Sequence, residues 1–524
     1  MVDDVNHLWG SRRLILGPMV RASSLPLRLA ALDYGADIVY SEEIPAYRAA
    51  SSSCKRVVNE VTGTVDFVEP KESSKDTLVL FRTHQQREVD AKCCVLQLGA
   101  TDAVTALRAA QLFERDVAAI DINMGCAKHY SVSRGMGAAH MNKPALAEDI
   151  VKTLRRNLSI PVSVKTRLQS TNCNSSCHSN NSTAEGVDVN ASIEWLRRLQ
   201  SAGAQAVALH MRTPLEKTRE AAHWDLFAQC HQAMRVNNTP LVYNGDMWSK
   251  IEAQRLHESI YPVCSSTEFL GCDVPIMICR PALWNPSVFT QFRRNKQPSA
   301  SSAHTTLIPI HDVLTCILKH SAATAHCPLN TRYLLQQILA GAKMLSSDTR
   351  VEVVKSHNLM SLSNVLDCRE FVRKEKVRQK LLWDAKLSVQ SQLCQAASCG
   401  DNADAGSDSI IYNDTKECIS QYCNFHSWPG IVCKTSHEYN DRYFDDNYYV
   451  AFNKPNYTYT TTNGSGTTNE CAARANNAGS GVVGEGGGAG NANSSTTTNA
   501  KRPFAYAGFS ESSSTVVRVK KSTL

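Results

Sequence analysis

The chain has 524 residues, 43% of them hydrophobic, with 56 Lys and Arg against 49 Asp and Glu for a net charge of +7. That is too long for one ordinary domain and apolar enough to bury sizeable cores in the first two-thirds, so two or three domains are expected. No apolar run reaches the length of a membrane span, the opening Met-Val-Asp-Asp-Val-Asn-His lacks signal-peptide character, and the 19 cysteines are odd in number and scattered. A soluble intracellular protein with reduced thiols, cytoplasmic or in part nuclear, is therefore expected, and the modest positive charge permits an RNA partner without requiring one.

Residues 14–19, Leu-Ile-Leu-Gly-Pro-Met, read as a short apolar strand stopped by Gly-Pro, followed by a helix over about 25–34 and a second strand at 37–40. Glu42 and Glu43 end that strand. A hairpin over 64–68 and 77–82 precedes a third buried strand at 93–99. Alternation then continues: helix 102–113, strand 117–123, helix 144–158, strand 161–166. The Asn-, Ser- and Thr-rich segment 169–188 interrupts this rhythm. Its Cys173, Cys177 and His178 lack a second ligand pair, so a surface insertion is expected and no metal site. The pattern resumes with helix 189–202, strand 206–210, helix 223–236 and strands at 240–245 and 274–280. Eight strands alternating with helices over this length predict a (β/α)8 barrel.

Chemistry-bearing residues fall where such a barrel gathers them. Gln97, Asn123, Lys165, His210, Asn244 and Arg280 each stand at or near the carboxyl end of a different strand, and those ends converge on one mouth. Any one of them is more readily a solvated or satisfied side chain. All six at strand ends make coincidence a poor account. The loops Asn244-Gly245-Asp246 and Cys279-Arg280-Pro281 follow strands seven and eight, where barrel enzymes commonly hold a phosphate, so a phosphate-bearing cofactor is implied. After strand four, Asp121-Ile122-Asn123-Met124-Gly125-Cys126 puts one thiol in a glycine-containing loop. A thiol of ordinary pKa, about 8.5, is mostly protonated at neutral pH, so Cys126 is open to either nucleophile or proton-donor roles.

Beyond Trp284 strands give way to helices at 307–321, 328–344 and about 362–389, the last carrying Arg369, Arg373, Lys374, Lys376, Arg378 and Lys380. This predicts a separate helical domain over 305–390, whose basic run suits either RNA phosphates or a solvated face. A short amphipathic helix at 415–423 and two alternating segments at 430–435 and 448–453 suggest a small α+β module over 408–476. Gly, Asn, Ser and Thr dominate from 462 to 500, so the remaining tail, 477–524, is expected to be largely disordered.

At this point the residues resemble a family. Residues 16–21 (Leu-Gly-Pro-Met-Val-Arg), 31–40, 55–61 and 121–126 look like the tRNA-dihydrouridine synthases, specifically the eukaryotic branch acting on uridine 20 of the D loop. Matches run from about 11 to 290 and continue weakly through the helical part. The resemblance implies an FMN-binding barrel over 11–290, a helical tRNA-binding domain and a degenerate double-stranded-RNA-binding-like module at 408–476. It implies a monomer that reduces uridine in tRNA, with NADPH or NADH as reductant. Pro18, Met19, Gln97, Lys165, His210, Asn244, Gly245, Asp246, Cys279 and Arg280 would surround FMN. Cys126 would be the general acid, protonating C5 of a uracil whose C6 takes hydride from flavin N5, while Asn123, Glu43 and Arg212 would contact the flipped uridine. Three positions depart from the family pattern: Ala127 stands where proline is usual, and Met211 and Asp246 where glycines are. Asp246 would repel a phosphate unless its carboxylate points away. Those departures also admit a catalytically impaired RNA-binding protein, and related barrels admit a flavin reductase of a free pyrimidine or enone.

Overall fold

The computed structural model describes residues 8–70, 77–171, 186–261, 273–292, 307–342 and 347–398. The Cys173-Cys177-His178 cluster, the module at 408–476 and the tail at 477–524 lie outside the described residues.

Eight parallel strands form the closed ring predicted from the alternation: β1 Leu14–Leu16, β2 Ile38–Tyr40, β3 Cys94–Gly99, β4 Ala119–Asn123, β5 Val162–Arg167, β6 Ala206–His210, β7 Leu241–Asn244 and β8 Ile276–Ile278. Each pairs with the next in sequence, and β8 closes on β1 through Leu14↔Ile276 and Leu16↔Ile278. Strands covered on both faces need side chains that pack everywhere, which is why they read as nearly continuous Val, Ile, Leu and Ala. The helices Leu25–Asp33, Ala103–Phe113, Pro144–Asn157, Val189–Ser201, Phe227–Met234 and Lys250–Ile260 follow or flank them. The expected helix over 223–236 is a 3-10 turn, Trp224–Leu226, leading into Phe227–Met234. The helix Lys250–Ile260 was not anticipated. It starts with a capping box in which Ser249 and Glu252 exchange side-chain and backbone hydrogen bonds.

Side-chain alternation sorts the barrel into two layers. Ile15, Ile38, Tyr40, Val95, Ala119, Ala206, Ala208, Val242 and Met277 pack together inside the ring, and Trp9, fully buried, joins them and donates Nε1–H to the Tyr40 hydroxyl at 3.0 Å. Continuing the same parity toward the carboxyl ends gives Gln97, Asn123, Lys165, Arg167, His210, Asn244 and Cys279. The barrel is therefore filled by small and apolar residues below and by polar ones above.

The expected hairpin is a three-stranded antiparallel sheet, Lys55–Asn59, Thr64–Pro70 and Thr77–His84. Arg82 from this sheet makes a buried pair with Asp66 and also donates to the Thr324 and Ala325 carbonyls, which begin the connection between the helices Ile310–Ala323 and Pro328–Ala342. The helical part continues with Ser347–Lys355, Leu359–Val365 and Arg369–Ser398, so the predicted helix over 362–389 breaks near Leu366. Asp367 there takes a left-handed φ of 49°. Within the basic run, Arg373 pairs with Glu370 and Arg378 with Glu375, which neutralises part of it on its own helix. Among the described residues, no helix is long and apolar enough to cross a membrane.

His320 joins the barrel to the helical part by a 2.6 Å hydrogen bond to Asp33, which also pairs with Arg87. Burial alone lowers the imidazole pKa, but the bonds to Asp33 and Cys316 outweigh it and raise the value to about 9. A raised histidine stabilises the fold fully below its unfolded pKa, about 6.5, and loses that contribution as pH rises through the folded value. Unfolding free energy should therefore fall between pH 6.5 and 9, and His320→Gln should flatten that slope in urea titrations at several pH values. An unchanged slope in the variant would assign the pH dependence elsewhere.

Candidate active site

Cys126 is held by its backbone from several sides. The Asn123 side-chain oxygen accepts from the amides of Gly125 and Cys126, both at 3.0 Å, so the loop after β4 turns sharply upon its own last strand residue. Met124 N–H donates to the Lys165 carbonyl, and Arg167 Nε donates to the Gly125 carbonyl at 2.7 Å. The Cys126 carbonyl accepts from Ala138 N–H at 2.9 Å, folding the glycine-rich segment back over the thiol. Gly137 is required there. Its φ is +61°, and a Cβ would lie 2.5 Å from the Cys126 carbonyl oxygen. None of these bonds uses residue 127.

Glu43 and Tyr130 lie beside the thiol. The Tyr130 hydroxyl is 3.8 Å from Cys126 Sγ and donates to Glu43 Oε2 at 3.2 Å. Glu43 Oε1 is buried beside Asn123 and Ser131 without a hydrogen bond of good geometry. Burial raises the Glu43 pKa above the ordinary glutamate value.

Across the strand ends the site is cationic. Lys165 is half-buried, one residue pair across from Asn123 in the β4–β5 register, and its ammonium has no hydrogen-bond partner among the described residues. Burial lowers its pKa, while Cys279 and Asp121 favour the charged form. His210 is pushed well below the usual histidine pKa, first by burial and then by Arg167, Lys165, Arg212 and Arg280. It is therefore neutral at physiological pH, with Nε2 accepting from Arg212 Nη1 at 3.3 Å and the other nitrogen carrying the hydrogen. Arg167, missed in the sequence reading, is two residues beyond Lys165 on the same strand and so on the same inward face; burial lowers its pKa to about 10.

Below this layer Asp121 is completely buried, accepting from Gln97 Nε2 at 2.9 Å and Ser163 Oγ at 2.6 Å. Burial raises its pKa to about 6. Asp121 is thus an anionic floor beneath Lys165, and it too went unassigned from sequence. Gln97, expected at the cofactor, spends one amide hydrogen on this floor. Asn244 likewise donates to the Met277 carbonyl at 2.9 Å and approaches Cys279 Sγ at 3.6 Å. Pro18 and Met19 are half-buried at the end of β1, where the Met19 carbonyl accepts from Ala22 and Ser23.

The departures at 211 and 246 resolve locally. The Met211 side chain is buried in the outer core and its backbone is bonded to Asn244 and His223. Gly245 has φ +144°, and the Asp246 carboxylate is shared by Arg212, Arg280 and the Ala222 amide. One negative charge between two guanidiniums leaves this rim net positive, so Asp246 organises the arginines instead of repelling a phosphate. Arg212, expected at the substrate, is 2% exposed and also donates twice to the Glu220 carbonyl. Arg280 additionally lies over the half-exposed Trp248 ring, 5.6 Å from its centroid. An unpartnered ammonium, a neutral imidazole and a net cationic rim are the donor set that a phosphate-bearing, reducible ring system needs, so the residues present fit a flavin mononucleotide.

Comparison with known proteins agrees with this geometry. Residues 15–352 match the model of the dihydrouridine synthase (Dus) family. The tRNA-dihydrouridine(20) synthase [NAD(P)+] of Saccharomyces cerevisiae is 28% identical over 334 residues, 63% of this chain and 77% of that protein. Its namesake in Schizosaccharomyces pombe is 29% identical over 337 residues, 63% of this chain and 60% of that protein. A human tRNA-dihydrouridine(20a/20b) synthase [NAD(P)+]-like protein is 26% identical over 282 residues, covering 53% and 71%. With the matched segment spanning more than half of the chain, this protein belongs to the dihydrouridine synthase family.

Proposed function

We propose that this protein reduces uridine to 5,6-dihydrouridine in tRNA, at position 20 of the D loop, with FMN at the barrel mouth and NADPH or NADH as the source of electrons. The observation that carries the reading is Cys126, fixed by Asn123 on a folded-back loop beside an unpartnered Lys165 ammonium and a neutral His210. The names of the yeast relatives support the substrate and the position.

Bound flavin supplies the hydride that the uracil receives at C6. Cys126 gives its S–H proton to C5. Lys165 and His210 would stabilise negative charge on a bound flavin and on the uracil edge. The Asn123 oxygen is occupied by the loop amides and its amide group faces Glu43, so Asn123 serves the substrate chiefly by placing Cys126. A uracil stacked in folded tRNA must leave its stack to reach this depth. The exposed Tyr130, Val20, Tyr47 and Trp248 around the mouth offer apolar surface for it and its neighbours. The helical part supplies further cationic surface for tRNA.

The test is incubation of the purified full chain with an unmodified tRNA transcript and NADPH or NADH, followed by mass-spectrometric mapping. Dihydrouridine at position 20 and a flavin absorbance spectrum are the expected results. Protein that purifies colourless and stays colourless with added FMN would sink the proposal, as would activity confined to free uracil.

A further inference from the structure

We propose that Glu43 and Tyr130 form a proton-return path to Cys126, restoring the thiol between turnovers. The inference rests on the reading of Cys126 as proton donor. The path is continuous: Cys126 Sγ to the Tyr130 hydroxyl at 3.8 Å, within reach for a large sulfur atom, and that hydroxyl to Glu43 Oε2 at 3.2 Å. It also joins two loops of the mouth, since Glu43 follows β2 while Cys126 and Tyr130 follow β4. Glu43 makes no ion pair among the described residues: its neighbours are the Tyr130 hydroxyl and the Asn123 and Ser131 side chains, and its Oε1 is buried without a hydrogen bond of good geometry. A buried carboxyl with no cation nearby retains its proton to higher pH than an exposed one, and burial raises Glu43 accordingly.

The transfer balances. When Cys126 has given its proton to C5, a thiolate remains. The Tyr130 O–H proton passes to sulfur while the Glu43 carboxyl proton passes to the phenolic oxygen. One S–H and one O–H bond form, two O–H bonds break, and no electron is gained or lost. Glu43 is left ionised and takes its next proton from water. Burial, with Cys126 and Glu43 nearby, raises the Tyr130 pKa, which disfavours a standing phenolate and makes the two transfers concerted. Glu43 is itself partly exposed, so water reaches this end of the path. Glu43 and Tyr130 act through Cys126 and not on the reacting carbons.

Two kinetic phases separate this role from simple support of the thiol. Flavin-loaded wild type, Tyr130→Phe and Glu43→Gln are pre-reduced with NADPH. Each is assayed first with enzyme in excess over tRNA, then in steady state with tRNA in excess. The first turnover starts from a protonated Cys126, and in Tyr130→Phe it should stay within about twofold of wild type, whereas steady-state turnover in either variant should fall by about tenfold or more. Added imidazole at fixed pH should restore part of the steady-state rate in Tyr130→Phe, since a diffusing acid replaces the missing hydroxyl. Parallel loss in both phases, unrescued, would mean that Tyr130 only positions the thiol. Unchanged steady-state rates in both variants would mean that water reprotonates Cys126 directly. Either result overturns the path. A wild type that forms no dihydrouridine in either phase would instead defeat the functional reading on which it rests.

Discussion

Cys126→Ala should bind flavin with an unchanged visible spectrum and lose dihydrouridine formation by about 10²–10⁴-fold, the range for removing a positioned proton donor. The size follows from how the loop is built. The bonds that shape it run through the Asn123 side chain, the Gly125 and Cys126 amides, the Gly125 and Cys126 carbonyls, Arg167 and Ala138, and none uses sulfur. Replacing the thiol with hydrogen therefore leaves the turn in place and removes the labile proton together with the sulfur contact to the Tyr130 hydroxyl. Hydride acceptance at C6 without proton delivery to C5 stops at the enolate and returns to uridine, so the loss should appear in turnover and not in tRNA binding. The comparison to make is single-turnover dihydrouridine formation beside tRNA affinity for both proteins. A variant as fast as wild type would move the acid role to another group, and a variant that loses flavin would show that sulfur supports the cofactor side of the mouth.

The barrel was legible because its strands are short, apolar and regularly spaced, and because polar residues sit at their carboxyl ends where alternation keeps them on the inner face. Gln97, Asn123, Lys165, His210 and Asn244 all carry that parity, and the structure gathers them. Arg167 and Asp121 carry it too, and counting by twos from Lys165 and Asn123 would have found them. Partner choice within the site was not legible. Asp246 read as a hazard to a phosphate because sequence shows a charge but not its direction; two arginines from separate loops, 34 positions away on either side, absorb it. Asn123 was expected at the uridine from the family resemblance, and that its oxygen also closes the next turn is visible only in the structure. The third strand beside the hairpin, Lys55–Asn59, was hidden for a similar reason: its Arg56 pairs with Asp116 and its pattern, Lys-Arg-Val-Val-Asn, alternates poorly.

Glu88→Ala should destabilise the protein by about 3–5 kcal/mol, the usual cost of stranding one member of a buried ion pair. Arg28 and Glu88 are 2% and 0% exposed and meet at 2.6 Å. Burial by itself lowers the Arg28 pKa, but Glu88 reverses this and raises it, so the guanidinium stays charged in the fold. Glu88 also accepts from the Thr83 hydroxyl and the His84 amide, while Arg28 donates to the Ser23 and Arg82 carbonyls. The pair thus fastens the helix Leu25–Asp33, just after the Pro18–Met19 corner of the mouth, to the end of the three-stranded sheet. Alanine at 88 removes the counter-charge and leaves Arg28 buried with nowhere to reach water. Arg28→Met with Glu88→Leu removes both charges at similar volume, and it should recover much of the loss, because two apolar side chains carry no stranded charge. Urea unfolding of wild type, the single variant and the double variant decides between the accounts. A single variant within about 1 kcal/mol of wild type would show that water enters and solvates Arg28. A double variant no better than the single one would show that the carbonyl bonds of Arg28, not the charge pair, hold this corner together.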